Sequence, residues 1–420
     1  MEVKPGYKQT EVGVIPEEWR VSTVGHEFEI KLGKMLDAEK NVGVPKPYLG
    51  NKAVQWDRID ISDLPTVPMS RADIERFRLQ KGDLLVCEGG EVGRAAIWDA
   101  PIDECYYQKA LHRLRPLHGY DSRLMVALLR QWSNQGRLLN YVTQTSIAHL
   151  PREKFVEVPM PVPPLPEQRA IAAALGDVDA LIGGLDKLIA KKRDLKQAAM
   201  QQLLTGKQRL PGFKGEWETY TFGELFDILR SASNSRSDLD EHSEVGYLHY
   251  GDIHTHPSAF LDCASELRTF IASSKVGSTP PMTDGDLVMV DASEDTMAIG
   301  KAVEIRGLNG RKAIAGLHTF LLRSKKDLLA KGFKGYLQYF QSVRSALVRL
   351  ATGVSVYGVT KSGVKTIEVT IPKPDEQTAI ATVLSDMDAE IAALETRRDK
   401  TRALKQGMMQ ELLTGKTRLV

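Results

Sequence analysis

The sequence predicts an α+β protein in which two globular domains, each a mixed sheet with helices, alternate with two long helices. A repeat is the first observation: residues 167–210 return 209 positions later as residues 376–419, without a gap. In both copies apolar residues recur at spacings of four and three, the seam of a helix packed along another helix. Short apolar runs separated by Gly and Pro fill the rest of each half, as β-strands do. We therefore expect two long antiparallel coiled-coil helices and a pseudo-twofold symmetric molecule.

These features divide the chain into four segments. The predicted domains are a globular domain over 1–158, a spacer helix over 159–210, a second globular domain over 211–370 and a second spacer helix over 371–420. Each helix is then about 38 residues long, or roughly 57 Å at 1.5 Å per residue. Helices that pack on their own globular domains, or that pair between separate chains, are the alternatives.

The helical seam is the most regular pattern in the sequence. Its residues are Ile171, Leu175, Val178, Ile182, Leu185 and Ile189 in the first copy, and Ile380, Leu384, Met387, Ile391 and Leu394 in the second. Arg398 stands where Ile189 stands in the first copy, so we expect the second seam to weaken there. Pro166 and Asp375 suit helix starts, and Gly206 and Gly415 suit helix ends.

The two globular halves share an outline but few residues. Strands are predicted at 84–89, 94–99, 110–116 and 155–163 in the first half, and at 286–291, 301–306, 319–323 and 365–372 in the second. A helix is predicted from Ser122 to about Gln135, and another at about 333–350. Similar glycine-containing anchors occur at matching places around Gly82 and Gly285. Outside such anchors the halves diverge, which suggests one architecture directed at two different targets.

Composition excludes several classes of protein. A net charge of +2 over 420 residues lacks the usual footprint of a nucleic-acid binder, so any basic surface must be local. Three cysteines are too few and too scattered for a disulfide framework or a Cys-x-x-Cys site. There is no long apolar run and no signal-peptide profile at the start. We expect a cytoplasmic protein without membrane segments.

Motifs that would carry chemistry are weak. The glycines at 89–93 follow an apolar run, but a turn explains them better than a dinucleotide loop. Gly415-Lys416-Thr417 lacks the first glycine of a phosphate loop. The group His249, Asp252, His254, His256 and Cys263 contains residue types that bind zinc or iron, but its spacing provides no second ligand pair. We predict no catalytic residue and no metal site.

Two loops are candidates for DNA contact. Each follows the helix of its globular half, precedes the last strand, and is rich in side chains that hydrogen-bond base edges and phosphates. The alternative is that these are turn residues bonded to their own backbone. The predicted DNA-binding residues are Gln144, Thr145, Ser146 and His149 in the first half, and Ser355, Tyr357 and Lys361 in the second.

A third candidate surface lies on the repeated helices. Several polar residues recur in both copies away from the apolar seam, which suggests a duplicated surface that binds two copies of one partner. A solvated helix face is the alternative. The predicted partner-binding residues are Arg193, Lys196, Gln197 and Gln201, with their counterparts Arg402, Lys405, Gln406 and Gln410.

The doubled motif resembles a known family. PLPEQRAIAAALGDVDALI and PKPDEQTAIATVLSDMDAEI, each followed by a LLTGK-x-RL ending, look like the specificity subunit of a type I restriction-modification system. The resemblance implies two target-recognition domains that read the two halves of an asymmetric, bipartite sequence in double-stranded DNA. It also implies a chain without catalytic activity that binds two methyltransferase subunits, together with restriction subunits. S-adenosylmethionine, ATP and Mg²⁺ are then expected on the partner subunits, with no cofactor on this chain.

Two other classes remain as alternatives. A coiled-coil scaffold whose two heads bind proteins would share the repeat but would not retain DNA selectively. A self-sufficient nuclease or methyltransferase is disfavoured by the missing motifs, and turnover by the purified chain would reveal it.

Overall fold

The computed structural model describes residues 4–419 other than 38, 40, 145–147, 297 and 326. It divides into two compact units, residues 1–187 with 396–420 and residues 188–395. Two helices of 39 residues each contribute to both units, and sheets with short helices make up the remainder. The predicted α+β class with two long helices is confirmed.

The first unit contains fifteen short strands among its described residues. They are β1 Tyr7–Thr10, β2 Gly13–Pro16, β3 Arg20–Thr23, β4 Phe28–Leu32, β5 Val44–Leu49, β6 Val54–Gln55, β7 Arg58–Ile59, β8 Thr66–Met69, β9 Leu84–Cys87, β10 Ala95–Ile97, β11 Tyr106–Tyr107, β12 Leu111–Pro116, β13 Thr143–Gln144, β14 Ala148–His149 and β15 Pro159–Val162. Its helices are α1 Val24–Glu27, α2 Arg71–Phe77, α3 Ser122–Asn134, α4 Arg152–Phe155 and the beginning of α5 Leu165–Leu203.

The second unit repeats this plan with its own additions. Its strands are β16 Glu218–Thr221, β17 Phe226–Leu229, β18 Leu239–Asp240, β19 Val245–Leu248, β20 Phe260–Asp262, β21 Phe270–Ile271, β22 Leu287–Val290, β23 Ala292–Ser293, β24 Ala302–Arg306, β25 Ala313–Ala315, β26 Thr319–Ser324, β27 Tyr357–Gly358 and β28 Glu368–Ile371. Its helices are α6 Phe222–Leu225, α7 Tyr250–Thr255, α8 Gln341–Leu350, α9 Lys361–Lys365 and the beginning of α10 Pro374–Leu412.

The central sheets of the two units have the same strand order. In the first unit the order is β10-β9-β12-β4, with every neighbouring pair antiparallel. Written in the same direction, the order in the second unit is β24-β22-β26-β17, and β20 adds a parallel edge strand beside β24. The strands that form the middle of each sheet are the apolar runs predicted at 84–89 and 286–291. Their complete burial explains why they read as continuous apolar runs rather than alternating ones.

The Gly-Asp anchors are structural. Asp83 is 2% exposed and accepts two hydrogen bonds from the Arg115 guanidinium, at 2.5 and 2.9 Å. Asp286 does the same with Arg323, at 3.0 and 2.6 Å. A buried carboxylate needs such a charge-assisted partner, so the repeated Gly-Asp marks a tight turn held by an arginine.

Both long helices carry a buried glutamine in their first turn. Gln168 accepts a hydrogen bond from the backbone of Asp121 and donates one to the carbonyl of Pro163, each at 2.9 Å. Gln377, the equivalent residue, accepts one from Ala330 at 2.9 Å and donates to the carbonyls of Leu328 and Pro372 at 2.8 Å. The repeated Glu-Gln dipeptide thus fixes each helix to its own sheet domain.

The structure corrects two sequence predictions. Residues 152–155, at the edge of the strand predicted at 155–163, form α4, and the strand β15 begins at Pro159. The helix predicted at about 333–350 is instead a 3-10 helix, Lys334–Tyr339, followed by α8. The break occurs because Phe340 has an extended backbone, with φ −67° and ψ 129°.

Candidate nucleic-acid interface

The first predicted loop covers residues 144–150, and with Thr143, which precedes it in β13, it is here called loop A, residues 143–150. Thr143 pairs with His149 and Gln144 with Ala148, so its ends form an antiparallel ladder. His149 is exposed, as a residue that contacts a ligand must be. Thr145 and Ser146 lie outside the described residues, as does the side chain of Gln144.

Loop A is anchored to the central sheet. The backbone N–H of Leu150 donates to the carbonyl oxygen of Glu88 at 2.7 Å, and Gly89 forms a bridge with His149. Below them the imidazole of His112 is completely buried. Burial lowers the pKa of His112 to about 4, so at neutral pH the ring is uncharged and donates from Nε2 to the carbonyl of Leu150. The loop therefore sits on a rigid base.

The second predicted loop, here loop B, comprises residues 352–361. Thr352 and Gly358 exchange two backbone hydrogen bonds of 3.0 and 2.8 Å, which close the loop into a narrow tip. Gly353 has φ +138°, and a Cβ added there would lie 1.9 Å from the carbonyl oxygen of Val356. Ser355 is exposed at the tip, beside Val354 with 93% of its surface exposed. Such a tip offers both a hydroxyl and an apolar surface.

Tyr357 and Lys361 lie at the base of loop B. Tyr357 is half-buried in β27, which pairs with β23. The amino group of Lys361 donates to the carbonyl of Leu229 at 3.3 Å and lies 5.9 Å from the centre of the Phe320 ring. Lys361 is exposed, so this position leaves its charge accessible to a phosphate.

Each loop docks beside a carboxylate that follows an equivalent strand of its own unit, β9 for loop A and β22 for loop B. Val359 donates its N–H to the carbonyl of Asp291 at 2.9 Å, as Leu150 does to Glu88. Burial raises the pKa of both Glu88 and Asp291. Carboxylate oxygens can accept from the exocyclic amino groups of cytosine. Sequence analysis missed these two residues, although both end the apolar run that follows a matched Gly-Asp anchor.

The histidine group of the second unit disperses over separate contacts. His249 accepts a hydrogen bond from the backbone of Gly251, and His254 contacts the carbonyl of Ala292. His256 bonds to Ser258, and Cys263 is buried elsewhere in the core. Within the described part of the chain, His, Cys, Asp and Glu form no group of three or more that could hold a metal ion. Over the same residues, no helix is long and apolar enough to cross a bilayer.

Repeated charges on the long helices pair with each other inside each unit. In the second unit Lys196 lies 2.5 Å from Asp388, and in the first unit the equivalent Lys405 lies 2.6 Å from the equivalent Asp179. Arg193 likewise pairs with Glu395, and its counterpart Arg402 pairs with Asp186 at 3.1 Å. In each unit, the partner's residue number falls as the residue number of the basic side chain rises: 193 faces 395 and 196 faces 388, while 402 faces 186 and 405 faces 179. The two helix segments of each unit are therefore antiparallel.

These ion pairs involve the basic residues of the predicted partner surface. Each of the four basic residues, Arg193, Lys196, Arg402 and Lys405, forms an ion pair that joins the two helix segments of its unit. Arg398, which stands where the first copy has the seam residue Ile189, has the same role, since its guanidinium lies 3.6 Å from Asp186. The glutamines of the predicted surface remain exposed: Gln197, Gln201, Gln406 and Gln410.

Comparisons with known proteins agree with this architecture. Residues 16–191 match the family described as Type I restriction modification DNA specificity domain. A putative type I restriction enzyme specificity subunit, MjaX, of Methanocaldococcus jannaschii is 23% identical, over 98% of this chain and 97% of the relative. The EcoKI specificity subunit of Escherichia coli K12 is 21% identical, over 96% of this chain and 89% of the relative.

Solved structures share the fold over nearly the whole chain. The type I restriction-modification S subunit from M. genitalium has a TM-score of 0.57 at 14% identity, with 98% of each chain covered. A chain from a study of complex assembly in the type I R-M system has a TM-score of 0.60 at 17% identity, covering 96% of this chain and 99% of that one. Residues 16–191 thus match the specificity-domain family, and over nearly its whole length the chain is similar to type I restriction-modification specificity subunits in sequence and in fold.

Proposed function

We propose that this chain is the DNA-recognition subunit of a methyltransferase and endonuclease complex and reads a bipartite, asymmetric site. The observation that supports this most directly is the repeated framework under divergent heads. The buried glutamine, the Gly-Asp anchor and the loop beside a carboxylate recur in both units, whereas the side chains of loops A and B differ. Equal frameworks with unequal loops suit two different half-sites, which the two domains read while the helices act as a spacer.

The chain recruits the enzymes rather than supplying chemistry. Two methyltransferase subunits bind the duplicated helices, one at each copy of the exposed glutamines, and restriction subunits join this assembly. The partners carry S-adenosylmethionine, ATP and Mg²⁺, and their basic surfaces supply phosphate contacts that a chain of net charge +2 lacks. The purified chain alone is therefore expected to bind DNA weakly.

A domain exchange tests the modular part of this proposal. Residues 211–370 are replaced by the equivalent segment of a related specificity subunit, and methylated adenines are mapped in the host genome. One half of the methylated sequence should change, and the other should stay the same. A change in both halves, or in neither, would contradict independent reading by the two domains.

Native mass spectrometry tests the assembly. Mixing the chain with its cognate methyltransferase subunit should give a complex with two methyltransferase subunits per chain. A complex that stops at one to one under excess partner would contradict the duplicated surface. Retention of protein partners without sequence-selective DNA binding would favour the scaffold alternative.

A further inference from the structure

The internal repeat extends further than the sequence motif, and this extension defines equivalent positions in the two units. Asp121 and Ala330, which bond the two equivalent glutamines, are 209 residues apart. Leu138 and Leu347 are also 209 residues apart, and each lies against the glycine that precedes an equivalent strand, Gly93 before β10 or Gly300 before β24. The same spacing therefore holds across the segment between them. It places Ala127 of α3 opposite Tyr336 of the 3-10 helix.

In the second unit Tyr336 fills the space between the sheet domain and α10. Its side chain is completely buried, and its ring meets Phe260 edge to face, with the ring centres 5.0 Å apart. Its hydroxyl lies 3.4 Å from the hydroxyl of Ser385. A tyrosine so placed contributes a large apolar contact and satisfies its polar tip.

In the first unit the equivalent space is a cavity of about 530 Å³. Ala127 takes the place of Tyr336, and Gly176 takes the place of Ser385. Both truncated positions line the cavity, which we call the Ala127 cavity. The apolar part of its wall consists of Ile97, Val126, Ala172, Ala173 and Leu175.

The charges around the Ala127 cavity largely cancel. Arg130 lies 2.6 Å from Asp57, and Lys405 lies 2.6 Å from Asp179. Arg123 pairs with Asp121 at 2.7 Å. Asp99 and Asp177, both exposed, also line the cavity, so its acidic side chains outnumber its basic ones by one, and the other side chains of the lining are apolar. This combination suits an uncharged, planar group with a hydrogen-bonding tip, and disfavours a phosphate or a free carboxylate.

We propose that the Ala127 cavity receives a tyrosine side chain of the methyltransferase subunit that docks on the first unit. This inference rests on the proposed function and identifies one anchor of that docking. A tyrosine is the residue that the second unit itself uses at this place, and Lys405 of the lining is followed directly by Gln406, which is exposed on the predicted partner surface. The second unit supplies its own tyrosine, so the two methyltransferase sites on the chain differ.

Two variants close the cavity from opposite walls. Ala127→Tyr introduces the residue of the second unit, and Gly176→Leu builds from α5, where an added Cβ would meet no described atom within 4 Å. Gly183→Leu is the matched control, because Gly183 lies on the same helix, has the same open surroundings and is outside the cavity lining. Melting temperature is followed for each variant to establish that it folds.

Binding of the cognate methyltransferase subunit is measured by titration calorimetry and native mass spectrometry. Both cavity variants should weaken one of the two binding events at least tenfold and leave the other unchanged, while Gly183→Leu binds as the parent chain does. Two unchanged events in a folded Ala127→Tyr or Gly176→Leu chain would overturn the proposal. Binding of p-cresol, a small-molecule analogue of the tyrosine side chain, to the parent chain and to both cavity variants is followed by NMR. If the variants lose p-cresol binding but keep the partner affinity of the parent chain, the cavity is a small-molecule site and the proposal is also overturned. If the parent chain binds no methyltransferase subunit, the proposed function itself fails.

Discussion

The imidazole of His112 donates a hydrogen bond of 2.8 Å to the carbonyl oxygen of Leu150, the last residue of loop A. This bond joins the central sheet to the loop that we propose faces DNA. It also requires a neutral ring: the described residues provide the buried Nδ1 with no hydrogen-bond partner, so a second proton there would be unsatisfied. The base of loop A is therefore sensitive to acid.

The first prediction is an acid-dependent loss of stability that depends on His112. The folded pKa is about 4, against 6.5 in the unfolded chain, so the folded state binds fewer protons between these values. Stability is then complete above pH 6.5 and is lost as the pH falls towards 4, by about 3 kcal/mol in total. Urea unfolding at pH 7, 6 and 5 measures this slope.

His112→Gln provides the control for this prediction. Its amide can still donate to the carbonyl of Leu150 but does not titrate. The variant should lose less stability than the parent chain as the pH falls from 7 to 5. Equal slopes for the two proteins would exclude His112 as the source.

A second prediction concerns the ion pair between Arg418 and Glu167. Glu167 has no exposed surface, and its carboxylate also accepts a hydrogen bond from the indole of Trp19 at 2.8 Å. Removing a partner of a buried charge costs about 3 kcal/mol. Arg418→Ala should therefore lower the free energy of unfolding of the first unit by about that amount in urea titrations. Arg71→Ala, which removes a pair on an exposed helix, should cost at most about 0.5 kcal/mol.

The third prediction tests the loop residues as DNA contacts. In the complex with the methyltransferase subunit, His149→Ala, Ser355→Ala, Tyr357→Ala and Lys361→Ala should each weaken binding of the cognate site, by about 1 to 3 kcal/mol for a base contact. Fluorescence anisotropy with cognate and scrambled duplexes separates base contacts from phosphate contacts. His118→Ala and Lys365→Ala change exposed residues of the same types outside both loops. If these two controls lose as much affinity as the four loop variants, the loops are ordinary turns.

A fourth prediction uses the backbone of loop B. Gly353→Ala forces a Cβ into the carbonyl of Val356 at a φ that disfavours side chains, so the tip must rearrange. Discrimination at one half-site should fall at least tenfold in the anisotropy assay, while discrimination at the other half-site persists. Gly310→Ala also adds a side chain at positive φ, +80°, but its Cβ meets no described atom within 4 Å. That variant should be strained by about 1 kcal/mol yet read DNA normally.

Sequence reasoning predicted the framework better than the surfaces. The seam, the long helices and the buried strands follow from period and apolarity, so α3, β9 and β22 lie where they were expected. The extended residue Phe340, which divides the predicted second helix, carries no comparable signal. Loop positions were predicted, but their docking beside Glu88 and Asp291 depends on sheet pairing between residues far apart in sequence.

The helix surface shows why recurrence alone is ambiguous. Lys196 and Lys405 repeat because each closes an equivalent ion pair, and no sequence pattern distinguishes that from a partner contact. The Ala127 cavity was equally hidden. Its equivalence to the site of Tyr336 rests on the 209-residue spacing between Asp121 and Ala330 and between Leu138 and Leu347, whose contacts occur only in the folded chain.

The division of the chain into units also determines the order in which a ribosome can complete them. The second unit, residues 188–395, is a continuous stretch, so all of its core has been synthesised before the last residues emerge. The first unit needs residues 396–420, including Met409, Leu412 and Leu413, to cover the apolar surface of Ile171 and Leu175. Although its synthesis begins first, it is therefore the later of the two to finish folding. A chain released after premature termination near residue 395 therefore has a complete second unit and an uncovered core in the first unit, a species prone to aggregate.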